Sequence, residues 1–252
     1  SKPTISDKVR IGWLGGSSHI KDLEILNGVF GRLHSDRNDK FQTVLCGYDL
    51  RGTMTEMDQK TGEQKQRPIK PIESVWYKYE QIFTNSHGTL SPEYKKELLE
   101  FKKKPITGDL NSVYRRVWTK PITTYASNYN YFDVSLAPLK EHIFNKVKSQ
   151  LKVIESGFHK KALIAQDFGP YQIDCVNLFE RGGKLNPKGN SLLVDTTKNH
   201  KLWYKYTKYL IDNPNAVTDL GEKLHETVYP KYSLKNITET RAEFYRELIK
   251  KS

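Results

Sequence analysis

Lys148, Ser149, Lys152 and Glu155 fall in one short run, KVKSQLKVIES. On a helix, residues three and four apart share a face, so Lys148, Lys152 and Glu155 would stand in one line. With Asn145 as the cap, Lys148 and Ser149 lie in or near the first turn. That end of a helix presents free N–H groups and the positive end of the macrodipole. A lysine there works against the dipole and calls for a counter-charge, which a bound phosphate would supply. Glu155, further along, could accept hydrogen bonds from a ribose diol, as acids do in dinucleotide sites. The same spacing also describes an ordinary amphipathic helix on which Lys152 and Glu155 are a solvated pair of little weight.

A second cluster is Gly15-Gly16-Ser17-Ser18-His19, followed by Lys21. Small residues let backbone approach a phosphate closely. The pattern is neither G-x-G-x-x-G nor a Walker A loop. His19 reads as a local hydrogen-bonding residue rather than a base. No histidines and acids show zinc spacing, and no G-x-S-x-G elbow occurs.

These residues need elements to position them. VRIGWL (Val9 to Leu14) is a short apolar run before the glycines and reads as a buried strand. Ile20, Leu23, Leu26, Phe30 and Leu33 then recur at helical spacing. Phe41 to Cys46 is a second strand, closed by Gly47. Residues 51–72 lack periodicity and read as a loop or insertion; residues 73–104 are irregularly helical, with a break at Ser86-His87-Gly88. Further strands are expected at Tyr114 to Trp118, Val134 to Leu136, Ala162 to Ala165 and Leu192 to Val194, with a short Tyr-rich helix over Ile122 to Tyr131. Phe144, Val147, Leu151, Ile154 and Phe158 form an apolar stripe predicting one continuous helix. Helices are expected over His200 to Ile211, Ala216 to Val228 and Glu239 to Lys250, the last capped by Thr238. This order predicts an α/β fold: a Rossmann-like, three-layer αβα domain with a mostly parallel sheet and C-terminal helices. Ligands in such sheets sit beyond the carboxyl ends of the strands. The loops after strands therefore matter most: Gly15 to Lys21, Pro138 to Ser149 and Asp167 to Tyr171.

The 252 residues suit one large domain or two small ones, either able to bury a core; the order of elements favours one domain, with an irregular insert at about 51–112. The net charge of +12 attracts anions, whether nucleic acid, acidic lipid or phosphorylated ligands. It also serves simply to solubilise. Basic clusters such as Lys102-Lys103-Lys104 are too short for a nucleic-acid arm. Two cysteines, Cys46 and Cys175, make a poor disulfide framework and point to a reducing compartment. No run approaches the length needed to span a bilayer. The expected location is the cytoplasm, with peripheral contact to the anionic inner face of the membrane through the basic surface.

The arrangement resembles the C-terminal, donor-binding domain of GT-B-fold glycosyltransferases, close to the large family 4 of retaining enzymes. Gly15 and Lys21 stand where that family has its G-R-x4-K-G region. Tyr131 through Leu139 (YFDVSLAPL) resembles its "aDv.l.P" strand. Lys148-Ser149, Lys152 and Glu155 resemble a "KS.lK.lE" helix of bacterial relatives. Ala162 to Gly169 and Gly189 to Val194 resemble its later strands. The similarity spans most of the chain and is thin from residue 51 to 112. It implies a hexosyltransferase of the retaining type acting on a nucleotide-diphosphate-sugar donor. Gly15, Gly16, Lys21, Lys148, Ser149 and Lys152 would hold the diphosphate, Glu155 the ribose, and the loop with His142, Phe144 and Asn145 would face the sugar. Two positions depart from the pattern: the family's Arg is Gly16 here, and the first acid of its E-x7-E motif is Val147. The resemblance further implies no metal and no cofactor beyond the donor itself. It implies an acceptor that is a glycan or lipid-linked glycan of a bacterial cell-surface polysaccharide pathway. The acceptor domain would precede Ser1, and the chain alone would catalyse nothing.

Two other classes fit parts of the sequence. One is a basic nucleic-acid-binding protein, against which the lack of a recognised motif counts, so nucleic acid is not the expected partner. The other is an interaction module whose Rossmann-like fold carries no ligand.

Overall fold

A computed structural model of the chain describes residues 8–37, 39–84, 106–107, 113–196 and 199–251. Its centre is a seven-stranded sheet. The strands are β1 (Val9–Leu14), β2 (Phe41–Tyr48), β5 (Ile106–Thr107), β6 (Tyr114–Trp118), β7 (Val134–Ala137), β8 (Ala162–Gln166) and β9 (Leu192–Val194). Their order across the sheet is β5-β6-β2-β1-β7-β8-β9. All neighbours run parallel except β5, which pairs antiparallel with β6. Every residue of β1, β7, β8 and β9 is buried, as expected of strands covered on both faces.

Alternation within the strands sorts two cores. Val9, Ile11 and Trp13 of β1, with Phe41 and Leu45 of β2, face α1 (Ile20–Leu23), α2 (Val29–Arg37), α3 (Val75–Phe83) and α6 (Asn199–Asp212). On the opposite face, Val44 and Cys46 pack with Tyr129 and Phe132. Leu163 and Ala165 of β8 pack there against Val153, Leu224 and Val228. The architecture is thus the predicted three-layer Rossmann-like α/β sandwich. α7 (Pro214–Tyr232) and α8 (Leu234–Lys251) follow at the C-terminal end.

Several expectations need correction. The stretch from Ile20 to Leu33 is not one helix: α1 ends at Leu23, a 3₁₀ turn covers Glu24–Leu26, and α2 starts at Val29 after Gly28. Residues 51–72 contain an antiparallel hairpin, β3 (Thr53–Met57) and β4 (Gln64–Pro68), whose side chains are nearly all exposed. An exposed ribbon carries no apolar alternation, so it left no periodic signal. The predicted break at Ser86-His87-Gly88 lies outside the described residues, as does Lys102-Lys103-Lys104. The Tyr-rich segment is a 3₁₀ helix, Tyr125–Tyr131. The last helix begins at Leu234, so Thr238 lies inside it rather than capping it.

The most consequential correction concerns the 144–158 stripe. It splits into a short α4 (Ile143–Lys146) and α5 (Leu151–Phe158), separated by Val147 to Gln150. Phe144, Val147 and Leu151 are exposed at 62 %, 79 % and 53 %, so the first half of the stripe is not part of the buried core. Asn145 is not a cap but a buried brace. Lys148 and Ser149 therefore precede the helix, and Lys152 is the lysine of its first turn.

Candidate functional site

A hollow of about 760 Å³ opens beyond the carboxyl ends of β1, β2 and β6. The loop after β1 supplies Gly15, Gly16, Ser17 and His19, and that after β2 supplies Asp49, Arg51 and Gly52. Thr119 follows β6, Tyr125 and Asn128 come from the 3₁₀ helix, and Leu151, Lys152 and Glu155 from α5. β1 has β2 on one side and β7 on the other. The chain thus winds outward in both directions from β1, and the hollow sits at that switch point.

Local chemistry builds this rim. Gly47 interrupts the register of β2 against β6 and adopts φ +98°. A Cβ there would collide with the Gly15 carbonyl oxygen, so only glycine lets the two loops touch. Gly15 N–H donates to the Cys46 carbonyl at 3.3 Å. The Tyr79 hydroxyl, from α3, accepts from His19 N–H at 3.0 Å and donates to the Gly16 carbonyl at 3.3 Å. Gly16 itself borders open space, with nothing within 4 Å of where a Cβ would stand.

α5 is held from behind. Gly157 lets it approach α7 so closely that a Cβ there would meet Val228. Val153 is fully buried in the same core. The helix thereby turns Lys152 and Glu155 toward the glycine loop. Lys152 Nζ donates to the Leu14 carbonyl at 2.5 Å and lies 3.7 Å from Glu155 Oε2. Burial pushes the Lys152 ammonium below its usual range, opposed by the Glu155 charge. The Tyr129 hydroxyl donates to Glu155 Oε2 at 2.7 Å. Tyr129 stacks face to face on His159 at 4.7 Å. Burial, then the Glu155 charge, drives the Tyr129 phenol well above its usual range. It therefore stays a donor and fixes one carboxylate oxygen while leaving Oε1 to other donors.

A second set of bonds ties the β1 loop to the β7 loop. Asp22 is 6 % exposed. Its Oδ1 accepts from Lys140 N–H at 2.8 Å and from the Asn145 amide at 3.2 Å, and its Oδ2 faces His19 Nδ1 at 3.0 Å. Burial would raise the Asp22 carboxyl. The His19 and Lys140 hydrogen bonds, with the nearby Lys148 charge, outweigh that and hold it below the usual carboxylate range.

Of the residues singled out in the sequence, Gly15, Gly16, Lys152 and Glu155 meet in this hollow. Three do not. Lys21 is 71 % exposed, 3.6 Å from Glu24, and lines another hollow with Leu139 and Gln166. Lys148 lines a third with Phe168 and Gly169, its Nζ 5.2 Å from the Phe144 ring. Ser149 is exposed in the segment before α5. Lys21 and Lys148 thus line two different hollows, both bordered by Glu141, and the helix break places Lys148 before α5 rather than on it. His142 Nδ1 accepts from Phe144 N–H at 3.2 Å, capping α4. Asn145 spends its amide on Asp22 and on the Lys140 carbonyl at 2.7 Å. Neither of these, nor Phe144, lines the main hollow. Arg51, Thr119 and Tyr125 were missed. The signal available was position alone, since each follows a strand or the turn after it.

No protein-family model matches the chain, and no curated protein does. Solved structures do. A sucrose-phosphate synthase from Thermosynechococcus elongatus superposes with TM-score 0.56 at 15 % identity, over 99 % of this chain and 47 % of that one. Anabaena HepE, in complex with UDP and glucose, gives 0.53 at 11 % identity, over 96 % and 49 %. A glycosyltransferase from Rickettsia africae gives 0.51 at 15 %, over 98 % and 50 %. The fold is accordingly the Rossmann-like one found in GT-B glycosyltransferases. The chain spans about half the length of these solved chains.

Proposed function

We propose that this chain is the donor-binding half of a glycosyltransferase and that a nucleoside-diphosphate sugar binds in the hollow between Gly15-Gly16 and α5. The observation that carries the reading is the meeting of a close-approach glycine loop, a desolvated Lys152 and a carboxylate, Glu155, in one space at the sheet's switch point. Glycine backbone and ammonium suit the diphosphate. Glu155, with Oε2 held by Tyr129, presents Oε1 to a ribose diol. In transfer, charge builds on the leaving diphosphate, and fixed cations and backbone N–H groups stabilise it. The neighbour bound to UDP and glucose supports this class of ligand.

The acceptor would be held by a second domain across the hollow. The half-length match to the solved chains supports this. So do the exposed apolar side chains Phe144 and Val147, which lie in the same chain segment as Leu151 at the edge of the hollow. Retaining stereochemistry and a cell-surface glycan acceptor belong to the same proposal and rest on the sequence resemblance.

Thermal melting of the chain with UDP, GDP and ADP tests the donor assignment. One of the three raises the midpoint by mass action. If none shifts it at millimolar concentration, the hollow is not a nucleotide site.

A further inference from the structure

His19 ends the glycine loop, and its ring is held on several sides. Its backbone N–H is fixed by the Tyr79 hydroxyl, and its ring packs edge-on to Trp13 at 5.9 Å and 73°. Nδ1 lies 3.0 Å from Asp22 Oδ2. An ionised carboxylate only accepts hydrogen bonds, so Nδ1 must carry the hydrogen. The remaining polar atom, Nε2, takes no hydrogen bond among the described residues. The side chain keeps 33 % of its surface exposed, and His19 lines the same hollow as Gly15, Gly16, Arg51 and Lys152.

We infer that His19 is an anion-binding residue of this hollow, donating Nε2–H to a phosphoryl oxygen of a bound diphosphate, with Asp22 as its positioning residue. The inference rests on the donor-binding reading above. It adds a residue that reading does not require.

With Nδ1–H committed to Asp22, Nε2 donates to a phosphoryl oxygen when the ring carries both hydrogens, so the bound ring lies as a cation between the Asp22 carboxylate and the diphosphate. Of the other charged groups nearby, Lys152 lies beside Glu155 on α5, Arg51 pairs with Asp49 at 2.9 Å after β2, and the Lys148 charge acts on Asp22 from the segment before α5. Tyr79, from α3, is pushed up to about 12 by burial and remains a neutral donor.

Calorimetric titration with sodium pyrophosphate and with UDP, GDP and ADP tests this. Wild-type chain should bind pyrophosphate, and His19→Gln should lose about tenfold in affinity, as should Lys152→Met. If His19→Gln matches wild type while Lys152→Met is weakened, the diphosphate site stands and the His19 assignment falls. If wild type binds neither pyrophosphate nor any of the nucleotides, both fall. Should His19→Gln fail to fold, the ¹⁵N resonance of His19 Nε2 in wild-type chain decides. In the pyrophosphate complex it must show the protonated shift, and an acceptor-type shift there overturns the inference.

Discussion

Lys152 Nζ and Glu155 Oε2 stand 3.7 Å apart, one turn from each other on α5. The ammonium is also bonded to the carbonyl that ends β1. A helix on one side of the switch point thus touches the strand on the other, and a desolvated charge sits where a phosphate would meet the glycine loop. Breaking each half of this pair should separate two kinds of ligand contact.

Removing the ammonium should cost phosphate affinity. Lys152→Met is expected to weaken nucleoside diphosphate and pyrophosphate alike by ten- to a hundredfold, the range of one charge-assisted hydrogen bond of about 1.5–3 kcal/mol. The melting midpoint without ligand should hardly fall, since burying that charge is itself costly. Titration and melting read the two effects separately. An unfolded variant, or unchanged affinity, would contradict the assignment.

Glu155→Gln should divide the ligand differently. Nucleoside diphosphate loses about tenfold, by the loss of charge-assisted bonds to the ribose, while pyrophosphate binds at least as well because a negative charge has gone. Equal weakening of both ligands would mean that Glu155 acts only through Lys152.

The two loop glycines should respond in opposite ways. Gly16→Arg fits into open space beside the hollow and should strengthen diphosphate binding several-fold. Gly47→Ala must place a Cβ against the Gly15 carbonyl at a left-handed φ. It should cost at least about 1–2 kcal/mol from the backbone conformation alone, seen as a lower melting midpoint.

Asp22 makes stability depend on pH with a definite sign. Its carboxyl is held below the ordinary value of 3.8. A depressed acid contributes stability above its unfolded value and loses it as pH falls through the folded one. Asp22→Asn should therefore melt below wild type at pH 7, and the gap should narrow as pH drops below 4. A gap independent of pH would show that shape, not charge, is what Asp22 supplies.

Much of this was legible in the chain. VRIGWL and FQTVLC read as strands because parallel strands buried on both faces are continuous apolar runs. Lys152 and Glu155 were readable as one face because helical spacing survives any shift in where the helix starts. The break at Val147 to Gln150 was not readable. Phe144, Val147 and Leu151 keep the helical period, yet they stand exposed instead of filling the core. Apolar spacing records what a face could bury, not what covers it. Spacing likewise did not show that Lys21 and Lys148 line different hollows. Arg51 and His19 carry no periodic mark at all. Only the fold brings them beside α5.

A crystal structure of the chain soaked with whichever of UDP, GDP or ADP stabilises it most is the most direct test. The diphosphate should lie within hydrogen-bonding reach of the Gly15-Gly16 backbone and Lys152 Nζ, with the ribose hydroxyls on Glu155. A nucleotide seated instead beside Lys21 or Lys148, with the space between Gly16 and Glu155 left to solvent, would contradict the account.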